Sequence, residues 1–315
     1  MLFKPSNPMN VMWDTWLLAQ PGTPTPFYLN YLSNCDASCG GPVGGWNGVG
    51  AAISTDGVHF ADEGVVIHKD AGAVWLGSGS VLKNAAGEYV MNFSEEYDCD
   101  HANGCQSIFF ATSPDLKTWT RVPDMVPGVN DSNVFKYGPG YKKGGRWDCI
   151  ATVPKPGAPG EFIGYWTATP DAGVGAGVGE TTDATGYHWR ALPPITAGFP
   201  AGEVGSVIVL GGRYYMLFGG GHLYVSANAT AGFALDRVNP AFHADGDGPR
   251  RLSSAPRLLL HASLPICRRL LHAAVERAGR GRPCAADAPG GADGQHEEGR
   301  VDGANQAGAW VERFT

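Results

Sequence analysis

The sequence predicts an all-β fold, a five-bladed β-propeller with four recognisable blades and a fifth that is aberrant or missing. Three observations predict it. Gly, Trp, Tyr and Phe are abundant among the 315 residues (46, 9, 11 and 13), a balance that favours strands and tight turns over helices. Four stretches repeat one pattern, an apolar run, a turn with Asp, Thr or Ser, then an aromatic residue and another short apolar run. Before residue 250 no window sustains a 3.6-residue apolar period, and Gly and Pro recur every few residues.

The repeated stretches read GVGAAISTDGVHFADEGVVI (48–67), QSIFFATSPDLKTWTRV (106–122), VGETTDATGYHWRAL (178–192) and HLYVSANATAGFALDRV (222–238). Each is expected to be a hairpin, because Asp-Gly, Pro-Asp and Asn/Asp-Ala-Thr clusters separate alternating apolar runs. An aromatic-rich strand precedes each: Phe27–Ser33, Glu88–Glu95, Glu161–Ala168 and Arg213–Gly219. Before those come Val11–Leu17, Val74–Lys83, Gly145–Ile150 and Gly202–Val207, one per unit. Every unit therefore predicts four antiparallel strands, and radial repetition of such sheets is a propeller whose first strands line a central channel.

Three of the four first strands carry a carboxylate among aromatic and small apolar residues: Asp14 in VMWDTWL, Asp148 in GRWDCI and Glu203 in GEVGSV. A charge inside a strand is costly unless it meets a polar cavity or a partner. Asp14, Asp148 and Glu203, at equivalent places in the repeat, are thus expected to converge on one axial pocket. The second unit offers Trp75, Ser78 and Ser80 there.

The net charge of −7 argues against a nucleic-acid partner, and no run of about 18 apolar residues exists to span a membrane. Residues 1–10 lack the charged and apolar regions of a signal peptide, which reads as cytoplasmic by default, whereas the loop cysteine pairs read as secreted, so the localisation is left open. Cys35/Cys39 and Cys99/Cys105 are close pairs in polar loops, which reads either as loop stapling in an oxidising compartment or as unpaired thiols. No His lies at ligand spacing beside either pair, so neither a metal nor another cofactor is expected. GAGVGE (175–180) superficially resembles a Gly-rich phosphate loop, but no Lys-Ser/Thr follows it and no helix is expected after it, so it is expected as a loop between strands. Asn228-Ala229-Thr230 and Asn92-Phe93-Ser94 are glycosylation sequons, the second inside an expected strand.

Residues 1–247 form the expected propeller domain, and 248–315 differ abruptly. Residues 250–315 hold ten of the fifteen arginines, no lysine, no tyrosine and only Trp310 and Phe314 as aromatic residues. That composition reads as a disordered tail, as a short helix around Arg268–Arg277, or as out-of-frame sequence standing where a last blade belongs, the reading favoured because a fifth blade is expected.

Across residues 10–247 the chain resembles the five-bladed propeller glycoside hydrolases, the superfamily of invertases, levanases, arabinanases and β-xylosidases, most of all the family 32-like branch. The likeness rests on WDTWLL followed by FYLNYL, on VWLGSGS, IFFATSPDLKTWTRV, GRWDCI, YWTATPDAGVGAGVGETTD and GEVGSV…GGRYYMLFGGG. It implies Asp14 as nucleophile, Asp148 as transition-state stabiliser and Glu203 as general acid, with Ser78 near the sugar. The chain departs from the family pattern where Asn-Asp-Pro-Asn-Gly is reduced to Trp-Asp-Thr-Trp, Arg-Asp-Pro to Arg146-Trp147-Asp148-Cys149 and Glu-Cys to Glu203-Val204. No β-sandwich module is expected after the propeller.

Glycoside cleavage needs an anion beneath the anomeric carbon and a proton for the leaving oxygen. Glu203 is expected to be protonated at rest through neighbouring carboxylates and apolar walls. Trp13, Trp75 and Trp147 are expected to stack on sugar faces, and Arg146 to orient a carboxylate or a hydroxyl. Glu95 and Glu96 read as rim or structural residues, and His222 as a strand-end residue. The expected partner is a carbohydrate substrate, and the expected activity a retaining, β-fructofuranosidase-like hydrolysis of furanosides. The rivals are an inverting family 43-like arabinofuranosidase or xylosidase, a mannoside phosphorylase on the same propeller, and a non-catalytic sugar-binding propeller or degenerate relic.

Overall fold

The computed structural model describes residues 3–236 except 21, 25, 43, 98–105, 124–137, 197, 198, 200, 201 and 220. The expected fifth blade, the atypical 248–315 segment and the Cys99/Cys105 pair lie outside the described residues.

Four four-stranded antiparallel sheets account for the described chain. The first holds β1 (Val11–Ala19), β2 (Phe27–Asn34), β3 (Gly48–Ser54) and β4 (Ala61–His68); the second β5 (Trp75–Lys83), β6 (Tyr89–Glu96), β7 (Gln106–Ser113) and β8 (Thr120–Arg121). The third holds β9 (Trp147–Pro154), β10 (Phe162–Ala168), β11 (Ala176–Thr181) and β12 (Trp189–Ile195); the fourth β13 (Val204–Leu210), β14 (Arg213–Phe218), β15 (His222–Ser226) and β16 (Ala234–Leu235). Within each sheet the strands follow in chain order, and β1 lies against β5, β5 against β9 and β9 against β13. The first strand of each unit is therefore the inner one, as expected of propeller blades.

The outer hairpins repeat one turn chemistry. Asp56 Oδ1 accepts from the Val58 and His59 amides, both at 2.8 Å, and Asp115 Oδ1 accepts from Lys117 and Thr118 at 2.9 and 2.8 Å. Asp183 and Asn228 each accept from the amide two residues on, at 2.9 Å. A short polar side chain that bonds its own backbone two residues ahead fixes the reversal, which is why these four clusters were legible as turns.

Aromatic and aliphatic side chains fill the seams between blades. Leu32, Val49, Phe93, Phe109, Phe110, Trp147 and Trp166 belong to one buried cluster, and Tyr165, Val178, Met216, Phe218 and Tyr224 to a second one shared by the third and fourth sheets. GAGVGE is not the expected loop: Ala176–Thr181 is β11. Its glycines serve packing, since a Cβ on Gly177 would lie 2.2 Å from the Trp166 indole. Asn92 is 2% exposed, so the sequon it opens is closed to modification in the fold. Large apolar side chains are exposed on the first and last inner strands, Leu17 on β1 and Ile208 and Val209 on β13. The inner strands β5 and β9, by contrast, have neighbours on both sides.

Of the two readings of the first cysteine pair, the structure supports the staple: Cys35 and Cys39 are disulfide-bonded. Asn7 Nδ2 donates to both sulfurs, at 3.5 and 3.4 Å, and to Ser38 Oγ at 3.0 Å.

Candidate active site

Every inner strand carries a β-bulge. The extra residue is Asp14 in β1, Cys149 in β9 and Gly205 in β13, and in β5 Gly77 and Ser78 together oppose Ser94. A bulge leaves one residue out of the ladder and re-aims its side chain, a device common beside active sites. It also corrects the expectation of equivalent positions. Asp14 is the bulged residue, Asp148 precedes its bulge by one position and Glu203 by two. Glu203 is therefore not inside a strand but one residue before β13.

The three carboxylates nonetheless meet. Arg146 Nη2 donates to Asp148 Oδ2 and to Glu203 Oε1, both at 2.7 Å. Glu203 and Asp148 both act electrostatically on Asp14, and Ser78 lies near its carboxyl. Asp14 is open to solvent at the channel, yet the surrounding protein walls dominate its environment. Burial first, then the charges of Glu203 and Asp148, raise its pKa above the ordinary 3.8. Burial alone would lower the pKa of Arg146, but the carboxylates of Asp148 and Glu203 more than reverse that and raise it.

Asp148 is the buried member of the set. Its Oδ1 accepts a short hydrogen bond from Ser94 Oγ, which in turn accepts from Gln106 Nε2 at 3.3 Å. Gln106 Oε1 accepts from Arg146 Nε and from the Trp147 amide, each at 3.3 Å. A methyl group on Gly77 would fall 2.3 Å from Ser94 Oγ, 2.7 Å from the Trp75 ring and 3.0 Å from Asp148 Oδ1, so only glycine lets these three groups close on one another.

The remaining expected residues divide. Ser78 is at the site, near Asp14 and Cys149. Trp75 is half-buried beside Gly77, next to Asp148. Trp13 is 61% exposed and stacks on Trp46 at 6.2 Å, leaving an aromatic surface open beside Asp14. Trp147 is a correction: it is fully buried between Tyr141 and Trp166, with centroids 5.0 Å from each, and has no face to offer a sugar. Adjacent strand residues point to opposite sides, so placing Asp148 toward the channel sends Trp147 into the core. Ser80 is also drawn away, its hydroxyl donating to the Ile150 carbonyl across the blade seam and accepting from Asn92 at 2.8 Å.

Glu203 departs from the expected apolar enclosure as well. Its side chain is 60% exposed and is held in an ion pair with Arg146. Glu95 is structural, fully buried against Arg121, and His222 sits at a strand end with Nδ1 2.7 Å from the Gly219 carbonyl. Glu96 belongs to the site's surroundings: Arg146 and Asp148 act on it electrostatically, and the Trp75 indole lies near it.

Sequence reasoning missed Ser94, Gln106 and Cys149 as site residues. The first two are uncharged and sit on second and third strands, where nothing in a single sequence distinguishes them from packing residues. Cys149 reaches the site because the bulge lets two consecutive residues, Asp148 and Cys149, both approach it. Burial and then Asp148 push its thiol pKa up. Among the described residues no three His, Cys, Asp or Glu side chains are grouped as metal ligands.

No family model and no curated protein matches the chain. Solved structures do. An inulosucrase from Halalkalicoccus jeotgali bound to kestose superposes with a TM-score of 0.50 at 14% identity, covering 75% of this chain and 70% of that one. A variant of B. megaterium levansucrase gives 0.49 at 11% identity over 74% of this chain and 73% of its own. An exo-β-1,3-galactanase from Phanerochaete chrysosporium gives 0.48 at 14% identity, and there the chain spans 49% of the matched protein. The chain is thus structurally similar to five-bladed β-propeller glycoside hydrolases, and at these identities the similarity shows the fold alone.

Proposed function

We propose that the chain is a glycoside hydrolase that cleaves furanosides with retention of configuration. The observation that carries this reading is the meeting of Asp14, Asp148 and Glu203, from three different blades, at one channel, with Arg146 joining two of them. Paired carboxylates are the reagents glycoside cleavage requires, and a propeller channel is where a sugar ring could reach them.

Asp14 attacks the anomeric carbon as a carboxylate while the bond to the leaving oxygen breaks. Glu203 gives its proton to that oxygen. In the second half-reaction the Glu203 carboxylate takes a proton from water, whose oxygen displaces Asp14 from the anomeric carbon. Asp148, held between Ser94 and Arg146, accepts hydrogen bonds from sugar hydroxyls and strengthens them as positive charge develops. Trp13 and Trp75 supply flat apolar faces for the C–H surfaces of the ring.

The Asp14 environment fixes the sign of the pH dependence. Attack needs the anion, and a raised pKa delays its formation on the way up from acid. The acid limb of kcat/KM is therefore expected above the ordinary aspartate value of 3.8. The decisive assay presents sucrose, 1-kestose and aryl arabino- and fructofuranosides to the full chain and follows the first-formed anomer by proton NMR. Hydrolysis with retention is expected. Inversion would recast Asp14 as a base acting through water, and no hydrolysis of any furanoside would overturn the proposal.

A further inference from the structure

Gln106 opens β7 and is buried, with 3% of its surface exposed. It lies directly opposite Glu96, so it shares a face of the second sheet with Glu96 and, two residues back along β6, with Ser94. There β6 and β7 both meet β9 of the next blade.

Arg146 Nε and the Trp147 amide, each at 3.3 Å, point at the same terminal atom of the Gln106 side chain. Both are donors only, so that atom is the carbonyl oxygen Oε1 and the amide has a single orientation. Its nitrogen then faces Ser94 Oγ at 3.3 Å, and a nitrogen that can only donate makes Ser94 the acceptor. The Ser94 hydrogen is thereby left for Asp148 Oδ1. With Arg146 Nη2 on Asp148 Oδ2 at 2.7 Å, the bonds close into a ring that runs Gln106, Arg146, Asp148, Ser94 and back to Gln106.

We propose that Gln106 is a positioning residue that closes this ring, holding Arg146 so that Nη2 bridges Asp148 and Glu203, and aiming the Ser94 hydroxyl at Asp148. The need follows from the geometry. The Arg146 side chain is 40% exposed, and one nitrogen, Nη2, serves both carboxylates at 2.7 Å. A planar group held at one nitrogen can swing about it, and the bond at Nε removes that freedom. The backbone beneath is fixed separately, by the Arg146 amide on Thr169 Oγ1 at 2.9 Å. The inference rests on the roles given to Asp148 and Glu203 above, but its first test does not depend on turnover.

Nitrogen-15 NMR of the full chain follows solvent exchange of the Arg146 Nε–H, assigned by its loss in Arg146→Lys. Gln106→Met keeps the length of the side chain and removes both amide groups, and in it this exchange is expected to be about 10-fold faster or more. Arg121, held on the same blade by Glu95 and the His68 carbonyl, is the reference and should stay within about twofold. Ser94→Ala cuts only the Asp148 arm, so Arg146 exchange there should also stay within about twofold. Kinetically Gln106→Met is expected to lower kcat about 10- to 100-fold with KM within about threefold, since what is lost is alignment. Adding Ser94→Ala should cost less than about twofold more, because the hydroxyl it removes is already unaimed. An unchanged Arg146 signal, equal acceleration at Arg146 and Arg121, an unchanged kcat in an active chain, or full additivity of the two losses would overturn the assignment. Should Gln106→Met not fold, Gln106→Asn, too short by a methylene to reach Ser94 and Arg146 together, is expected to give the same changes, and wild-type behaviour there would equally overturn it. A chain that hydrolyses nothing defeats the catalytic reading and leaves the exchange measurement to judge Gln106 on its own.

Discussion

Replacing Arg121 with Ala is expected to lower the unfolding free energy by about 3–5 kcal/mol. The reason lies in Glu95, a fully buried carboxylate in the middle of the second blade. Arg121 Nη2 donates to Glu95 Oε1 at 2.6 Å and Nη1 to Oε2 at 3.1 Å, a two-pronged pairing that lone ammonium groups cannot reproduce. The same Nη2 donates to the His68 carbonyl of the first blade at 2.6 Å, and the guanidinium lies 4.9 Å from the Phe93 ring centroid. Tyr97 and the Asp70 amide, at 2.9 and 2.7 Å, would still bond the carboxylate in the variant, but no countercharge would remain beside it. Thermal unfolding should show a fall in Tm of roughly 10 °C. The double variant Arg121→Ala with Glu95→Gln should recover part of that loss, because the stranded charge is gone. A loss below about 1 kcal/mol would mean that the pair is as dispensable as an exposed one.

Glu203→Gln is expected to show a loss that depends on the leaving group. General acid catalysis contributes about 10²–10⁴-fold where the departing oxygen needs a proton. With sucrose or 1-kestose the leaving alkoxide is strongly basic, so kcat should fall about 10³-fold. A nitrophenolate leaves without help, so the corresponding aryl furanoside should lose less than about tenfold. The contrast separates a proton donor from a residue that merely supports Arg146, whose loss would slow both substrates alike. Equal losses on the two substrates would remove Glu203 from the acid role.

The sheets were legible in the sequence because each blade announces itself twice, by an aromatic-rich second strand and by a hairpin turn built on Ser, Asp or Asn. What the sequence concealed is the inner-strand bulges. A bulge has no residue signature, yet it offsets Asp14, Asp148 and Glu203 from one another and decides which neighbours share the channel. Trp147 shows the cost: flanked by Arg146 and Asp148 it reads as a site residue, but strand alternation puts it in the core. Ser94 and Gln106 carry no charge out of place, so only the packing of β6 and β7 against β9 reveals them. GAGVGE misled because Gly is read as a breaker, whereas Gly177 and Gly179 clear room for the Trp166 ring within a strand.

That three carboxylates from separate blades form one sugar-cleaving centre is tested most directly by steady-state hydrolysis of sucrose, 1-kestose and aryl furanosides by the unaltered chain and by Asp14→Asn. The amide keeps the shape of the bulge and cannot serve as nucleophile. Turnover by the unaltered chain and a loss of about 10³-fold or more in the variant on every substrate are predicted. Equal turnover by both would contradict it.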